Sequence, residues 1–128
     1  KMYKVASGFR DETTWQALSQ TGKRVYISES KSEIPPYGIG KSTYLFCPPG
    51  YPQNPHKFFN GQKDYDAGIS DHTIGVDCAK IALARGAGVI EKHFCLEHNP
   101  DYPDNDWSMT PGELKELVRW EEVCKAVL

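Results

Sequence analysis

The chain has 128 residues, 39% hydrophobic and 25% charged, with 15 Lys+Arg against 17 Asp+Glu and a formal net charge of -2. That is the profile of a soluble globular unit, and it lacks the basic excess that would neutralise a run of phosphates, so no nucleic-acid partner is expected. The longest apolar runs are a few residues, far below the roughly 20 that cross a bilayer, and no basic n-region precedes an apolar stretch. Neither a membrane partner nor a secretion signal is expected. Cys47, Cys78, Cys95 and Cys124 stand at wide intervals with no pair two residues apart, as reduced and mostly buried thiols of a cytoplasmic protein would.

Tyr3 to Gly8 begins as an alternation, with Tyr3 and Val5 on one face and Lys4 and Ala6 on the other, and reads as a strand closed by Ser7-Gly8. From Asp11 to Gln20 the period changes to that of a helix, with Trp15 and Leu18 on one stripe and Gly22 near the C-terminal end. Val25-Tyr26-Ile27 is a second strand, closed by Ser28. Pro35, Pro36, Gly38 and Gly40 leave no helical period between Glu29 and Thr43, which reads as a loop. Tyr44-Leu45-Phe46-Cys47 is a continuous apolar run and hence a buried strand. The Pro- and Asn-rich stretch from Tyr51 to Asp66 supports at most a short helical turn around His56 to Phe59, before a weak strand at Ala67 to Ser70.

Thr73 is placed to cap a helix that carries Val76, Ala79, Ile81, Ala82 and Leu83 and runs to Gly86. Val89-Ile90 starts a fifth strand. Thr110-Pro111-Gly112-Glu113 has the form of a capping box with Pro at the first helical position, followed by a stripe of Leu114, Leu117, Val118, Cys124 and Val127. Short strands alternating with helices point to parallel βαβ units and an α/β class, in which ligands lie at the carboxyl ends of the strands. The residues found there are small hydroxyls, histidines and charges.

His72 and His93 each follow an apolar run, and two imidazoles converging from neighbouring strand ends can hold a divalent cation with positions left open. Taken singly, such a histidine is more often a hydrogen-bonded structural residue, and His56 and His98 read as solvated loop residues. Ser7, Ser28 and Ser70 are singly ordinary turn residues, but together with Lys4 they could cradle a phosphate or carboxylate. Glu91 and Lys92 are adjacent on a strand and must point to opposite faces, so only one of them can enter the interior of a barrel.

Lys4 to Gly8 (KVASG), Gly22 to Ser28 (GKRVYIS), Cys47 to Pro52 with its Tyr51-Pro52 ending, Ile69 to Gly75 (ISDHTIG), Val89 to Phe94 (VIEKHF) and the Pro103-Asp104 to Ser108 stretch resemble, in that order, the sialic acid synthase (N-acetylneuraminate synthase, NeuB-like) family. The resemblance implies an α/β fold, a partial TIM (β/α) barrel of about five parallel strands corresponding to strands 4 to 8. Residues 1–128 would then be one domain, a segment of a (β/α)8 barrel. It also implies a transferase activity, the metal-dependent condensation of phosphoenolpyruvate with an N-acetylated sugar such as N-acetylmannosamine, releasing phosphate. By position, His72 and His93 match metal ligands for Mn²⁺ or Mg²⁺, and Glu91 matches a catalytic glutamate beside the metal and its water. Lys4, Ser7, Ser28 and Ser70 match phosphoenolpyruvate-binding positions, and Tyr51 and Asp104 match sugar-binding ones.

Three departures qualify the match. Pro49 offers no side-chain hydrogen bond where the family usually has Asn or another polar residue. The Pro/Gly-rich stretch after Ser28 replaces an outer helix, and the link from Tyr51 to Ser70 is short. A barrel of this kind takes about 250 residues. Five strands leave two open edges, so either pairing with the missing half-barrel or a homo-oligomer is expected. The alternative to an enzyme is a non-catalytic truncated barrel acting as a self-associating or regulatory partner.

Overall fold

A computed structural model of the chain describes residues 1–9, 11–30, 40–59 and 67–127. Its elements are β1 (Met2–Val5), α1 (Glu12–Gln20), β2 (Arg24–Glu29), β3 (Ser42–Phe46), α2 (Pro55–Phe59), β4 (Ile69–Asp71), α3 (Asp77–Ala84), β5 (Ile90–Lys92), a 3₁₀ turn (Asn105–Trp107) and α4 (Pro111–Val127). The five strands form one parallel sheet in the order β1-β2-β3-β4-β5, which is chain order. The α/β half-barrel expected from the sequence is therefore present. The replaced outer helix and the short link fall largely on residues 31–39 and 60–66, outside the described residues.

Apolar side chains gather on the helix-facing side of the sheet in two clusters. Val5, Trp15, Leu18, Val25 and Ile27 pack under α1, with Tyr44 against them. Phe58, Ile69, Cys78, Ala82 and Ala87 pack under α2 and α3, flanked by Phe46, Phe59 and Ile90. Period-2 alternation places Val25 and Ile27 in the first cluster and turns Ser28 to the opposite face. The inner face is accordingly polar at the carboxyl ends of the strands.

The sheet is curled. Four inter-strand steps of about 4.8 Å would hold β1 roughly 19 Å from β5 if it were flat, yet Lys4 Nζ of β1 lies 3.0 Å from Glu91 Oε1 of β5. Closure into an arc brings the two edge strands face to face across the interior.

Gly68 allows the tight entry into β4. Its φ is +142°, and a Cβ there would lie 2.2 Å from the Val89 carbonyl oxygen and 3.0 Å from Leu45 Cδ2. The Gly68 carbonyl in turn accepts the Phe46 N–H at 3.0 Å, which with the Phe46–Ile69 pairing joins β3 to β4.

Element ends depart from the sequence expectation in instructive ways. The helix expected to start at Thr73 starts at Asp77, with Val76 in the capping position and no side-chain cap. The Thr73 hydroxyl is taken up instead by Asp71 Oδ1, at 2.7 Å. Ser28 and Ser70 lie inside β2 and β4 rather than in turns after them. The capping box of α4 forms: Glu113 Oε2 accepts from the Thr110 N–H at 2.8 Å and from its hydroxyl at 2.9 Å. Of the stripe on α4, Leu117 and Cys124 are buried while Leu114, Val118 and Val127 are exposed.

Gly68→Ala is expected to lose at least about 2 kcal/mol of unfolding free energy in urea, whereas Gly86→Ala, with φ +91° and open space around it, should lose only about 1 kcal/mol. Burial pushes the Glu113 carboxyl up, but its bonds to Thr110 and the nearby His98 hold it below the ordinary value of 4.5. A carboxyl depressed in the folded state adds stability that is fully present above about pH 4.5 and fades as pH falls through its folded value. The stability difference between the wild type and Glu113→Gln should therefore shrink on acidification below pH 4.5, as read by urea midpoints across pH 3 to 7.

Candidate functional site

Lys4, Ser7, Ser28, Tyr51, Ser70, His72, Glu91 and His93 line one cavity of 150 Å³ at the carboxyl ends of the strands, joined by Ala6 and Cys47. The ninth candidate, Asp104, stands at its rim with Oδ2 3.5 Å from His93 Nδ1. Residues from all five strand ends thus meet at one place, although they are scattered over 100 positions of chain.

The centre is the Glu91 carboxylate. Oε2 accepts a 2.8 Å hydrogen bond from the Ser28 hydroxyl, Oε1 pairs with the Lys4 ammonium, and the Ser70 hydroxyl lines the same cavity and helps hold the carboxylate ionised. Burial raises the Glu91 pKa, but Ser70, Lys4 and Ser28 together outweigh it and hold the group below its ordinary value. Two hydroxyls and one ammonium converging on a carboxylate are what an anion-binding cradle requires.

Beside it, the His72 and His93 rings lie 5.1 Å apart between centroids, tilted by 56°. Together with Glu91 and Lys92 they border a 160 Å³ recess. Burial, then the neighbouring His93, lowers the His72 pKa against the pull of Glu91 and Asp71, which favours a neutral imidazole. Nδ1 of His72 faces Cys47 Sγ at 4.0 Å and Nδ1 of His93 faces Asp104. No hydrogen bond to either Nε2 is found among the described residues. Nor do the described residues gather three or more His, Cys, Asp or Glu side chains as a metal cluster, so any cation here would rest on the two imidazoles with its remaining positions open.

Tyr51 packs edge-on to the His72 ring at 4.6 Å and lies 5.7 Å from the Trp107 ring. Asp104 adopts a left-handed backbone, φ 59°, at the start of the 3₁₀ turn that carries Trp107. The turn is fastened by the Ser108 N–H and hydroxyl, which both donate to the Asp104 carbonyl. The Met109 N–H then donates to the His93 carbonyl at 2.8 Å, tying this segment to the site. His56 and His98 lie away from the cavity and are exposed, as read from the sequence, but His56 sits in α2 rather than in a loop and His98 Nδ1 lies 3.1 Å from the Asn105 carbonyl oxygen.

Sequence reasoning did not find Gln53 or the part played by Cys47. Gln53 is buried in a segment without periodicity. Its Oε1 accepts from the His72 N–H at 2.7 Å, its own N–H donates to the His72 carbonyl at 2.9 Å, and its amide donates to the Pro48 carbonyl. It clamps the loop after β3 to the end of β4. Cys47 is buried in the cavity wall, where burial pushes its thiol pKa up against the opposing effect of the Ser70 hydroxyl and of the Gln53 amide, whose Nε2 lies 3.6 Å from Sγ. No local sequence signal marks either residue, because both contacts are made across the sheet.

The NeuB family model matches residues 56–128. An uncharacterised protein of Methanocaldococcus jannaschii is 34% identical over 91% of this chain, which spans 40% of that protein. The N,N'-diacetyllegionaminic acid synthase of Legionella pneumophila is 35% identical over 73% of this chain, covering 29% of the synthase. The crystal structure of the N-acetylneuraminic acid synthetase of Leptospira borgpetersenii, solved with citrate, superposes with a TM-score of 0.76 at 24% identity over 98% of this chain and 50% of that one. The chain thus spans half or less of the length of these proteins. The family match extends over more than half of the chain and includes His72, Glu91, His93 and Asp104; the chain belongs to the NeuB family of sialic-acid-synthase-like proteins.

Proposed function

We propose that this half-barrel carries the anion- and metal-binding part of a phosphoenolpyruvate-dependent synthase, in which the methylene carbon of the enol joins the carbonyl carbon of an N-acetylated sugar, the carbonyl oxygen takes up a proton, and water adds at the phosphate-bearing carbon as phosphate leaves. The observation that carries the reading is the convergence of Lys4, Ser28 and Ser70 on one carboxylate beside the His72–His93 pair. A substrate carboxylate or phosphate offers the same oxygen chemistry as the Glu91 side chain. It would draw on the same donors, with Ser7 within the same cavity.

The imidazole pair suits a divalent cation such as Mn²⁺ or Mg²⁺. Metal–nitrogen bonds of about 2.1 Å put two rings that share a cation roughly 5 Å apart between centres, and the observed separation is 5.1 Å. His72 is biased toward the neutral form that ligation needs. When bound, such a cation supplies Lewis-acid polarisation of the sugar carbonyl.

The protein's own groups do the rest. Lys4 and the serines orient the enol substrate by charge-assisted bonds. Glu91, held ionised, is a weakened base but a well-placed acceptor, suited to orienting a water or a hydroxyl rather than to abstracting a proton from carbon. Tyr51 and Asp104, at the outer rim, are positioned to meet the sugar.

Calorimetry with Mn²⁺ should detect binding to the wild type and none to His72→Ala/His93→Ala. Phosphoenolpyruvate affinity should fall about 10-fold to 100-fold in Lys4→Ala, the scale of one hydrogen bond to a charged group. A folded protein that binds neither ligand would overturn the synthase reading and leave the non-catalytic, self-associating half-barrel in its place.

A further inference from the structure

The residues immediately before the two site histidines form a second, hidden pair. Asp71 and Lys92 are the last paired residues of β4 and β5, and both side chains are wholly buried. Lys92 Nζ lies 3.3 Å from Asp71 Oδ2 and donates to the Thr73 carbonyl at 2.6 Å. Asp71 Oδ1 accepts from the Thr73 N–H at 2.8 Å and from its hydroxyl at 2.7 Å. Asp71 Oδ2 accepts no hydrogen bond among the described residues, so the Lys92 ammonium is its counter-charge.

Strand alternation explains the arrangement. Ser70 and Glu91 point into the cavity, Asp71 and Lys92 point to the far side, and His72 and His93 return to the cavity. A buried ion pair is a poor source of stability, because desolvating both charges offsets most of their attraction. Its better-attested use is to specify register. Register needs specifying here, because β4 and β5 are three residues each and pair only through Ile69–Ile90, Ser70–Glu91 and Asp71–Lys92. A slip by one residue would exchange the faces and take one imidazole out of the cavity.

We infer that Asp71 and Lys92 are positioning residues, a buried charge clasp on the far side of the sheet that sets the spacing of His72 and His93. The inference rests on the proposed reading of those histidines as cation ligands, but the spacing itself can be measured without metal. The Gln53 clamp fixes the His72 backbone and Met109 fixes that of His93. The Asp71–Lys92 ion pair joins the two strands directly at the rung from which both histidines depart.

The test uses Asp71→Asn/Lys92→Met, which removes both charges, leaves an oxygen for Thr73 and avoids stranding one buried ion. Lys92→Met alone strands the Asp71 carboxylate and serves as the harsher comparison. Three quantities are read on the chain: the urea midpoint, the Co²⁺ dissociation constant with its visible absorption band, and the nuclear Overhauser contact between the His72 and His93 ring protons in the absence of metal. The expected result is a double variant that stays folded with a urea midpoint lowered only by the loss of the Lys92 bond to the Thr73 carbonyl and well above that of Lys92→Met alone, at least tenfold weaker Co²⁺ binding, a shifted band and a weakened ring-to-ring contact. A folded double variant with the wild-type ring contact and wild-type Co²⁺ affinity would overturn the inference. Wild-type Co²⁺ binding that survives His72→Ala/His93→Ala would instead sink the ligand reading, and the ring contact would then decide the clasp by itself.

Discussion

The ion pair between Lys4 and Glu91 connects the first strand of the sheet to the last. A parallel sheet in chain order has no other way to bring its edges together than to curl, and once curled it has an inside. The inside is where Ser28, Ser70 and the two histidines find a common centre. Each of these residues is unremarkable on its own strand, and the chemistry proposed for them exists only because the arc places 87 positions of sequence separation within 3.0 Å.

Division of labour between the two faces of the sheet follows from the same geometry. The outer face carries Val25, Ile27 and Ile69 into the helix layer, where burial of apolar surface supplies the main folding drive. The inner face at the strand ends is polar, and its groups satisfy one another: hydroxyls and an ammonium on Glu91, Asp104 against His93, Gln53 around His72. Such a network is stable only when its members are paired, and this ties the integrity of the site to the curl of the sheet.

Much of this could be read in the chain itself. The capping box at Thr110 to Glu113 formed as its spacing demanded, since it needs only one turn of helix. The opposite orientations of Glu91 and Lys92 followed from strand alternation alone, and each side chain has gone to the face that the alternation required. Motif order identified the family, and all nine site residues taken from it meet in or at the rim of one cavity. Thr73 was misread, because a hydroxyl before an apolar run signals an N-cap equally well whether the helix or a neighbouring carboxylate takes it, and here Asp71 does.

Local periodicity, turn chemistry and short motifs are properties of neighbours in sequence, so the chain alone determined the order of strands and helices, the cap of α4 and the identity of the polar residues at the strand ends. The 5.1 Å between the imidazoles, the Lys4–Glu91 contact, the Gln53 clamp and the buried Asp71–Lys92 pair were decided only in three dimensions. Each depends on how far the sheet curls and on which rung of β4 meets which rung of β5. Those are set by the summed packing of the whole arc and leave no periodic trace in the segments that contribute to them.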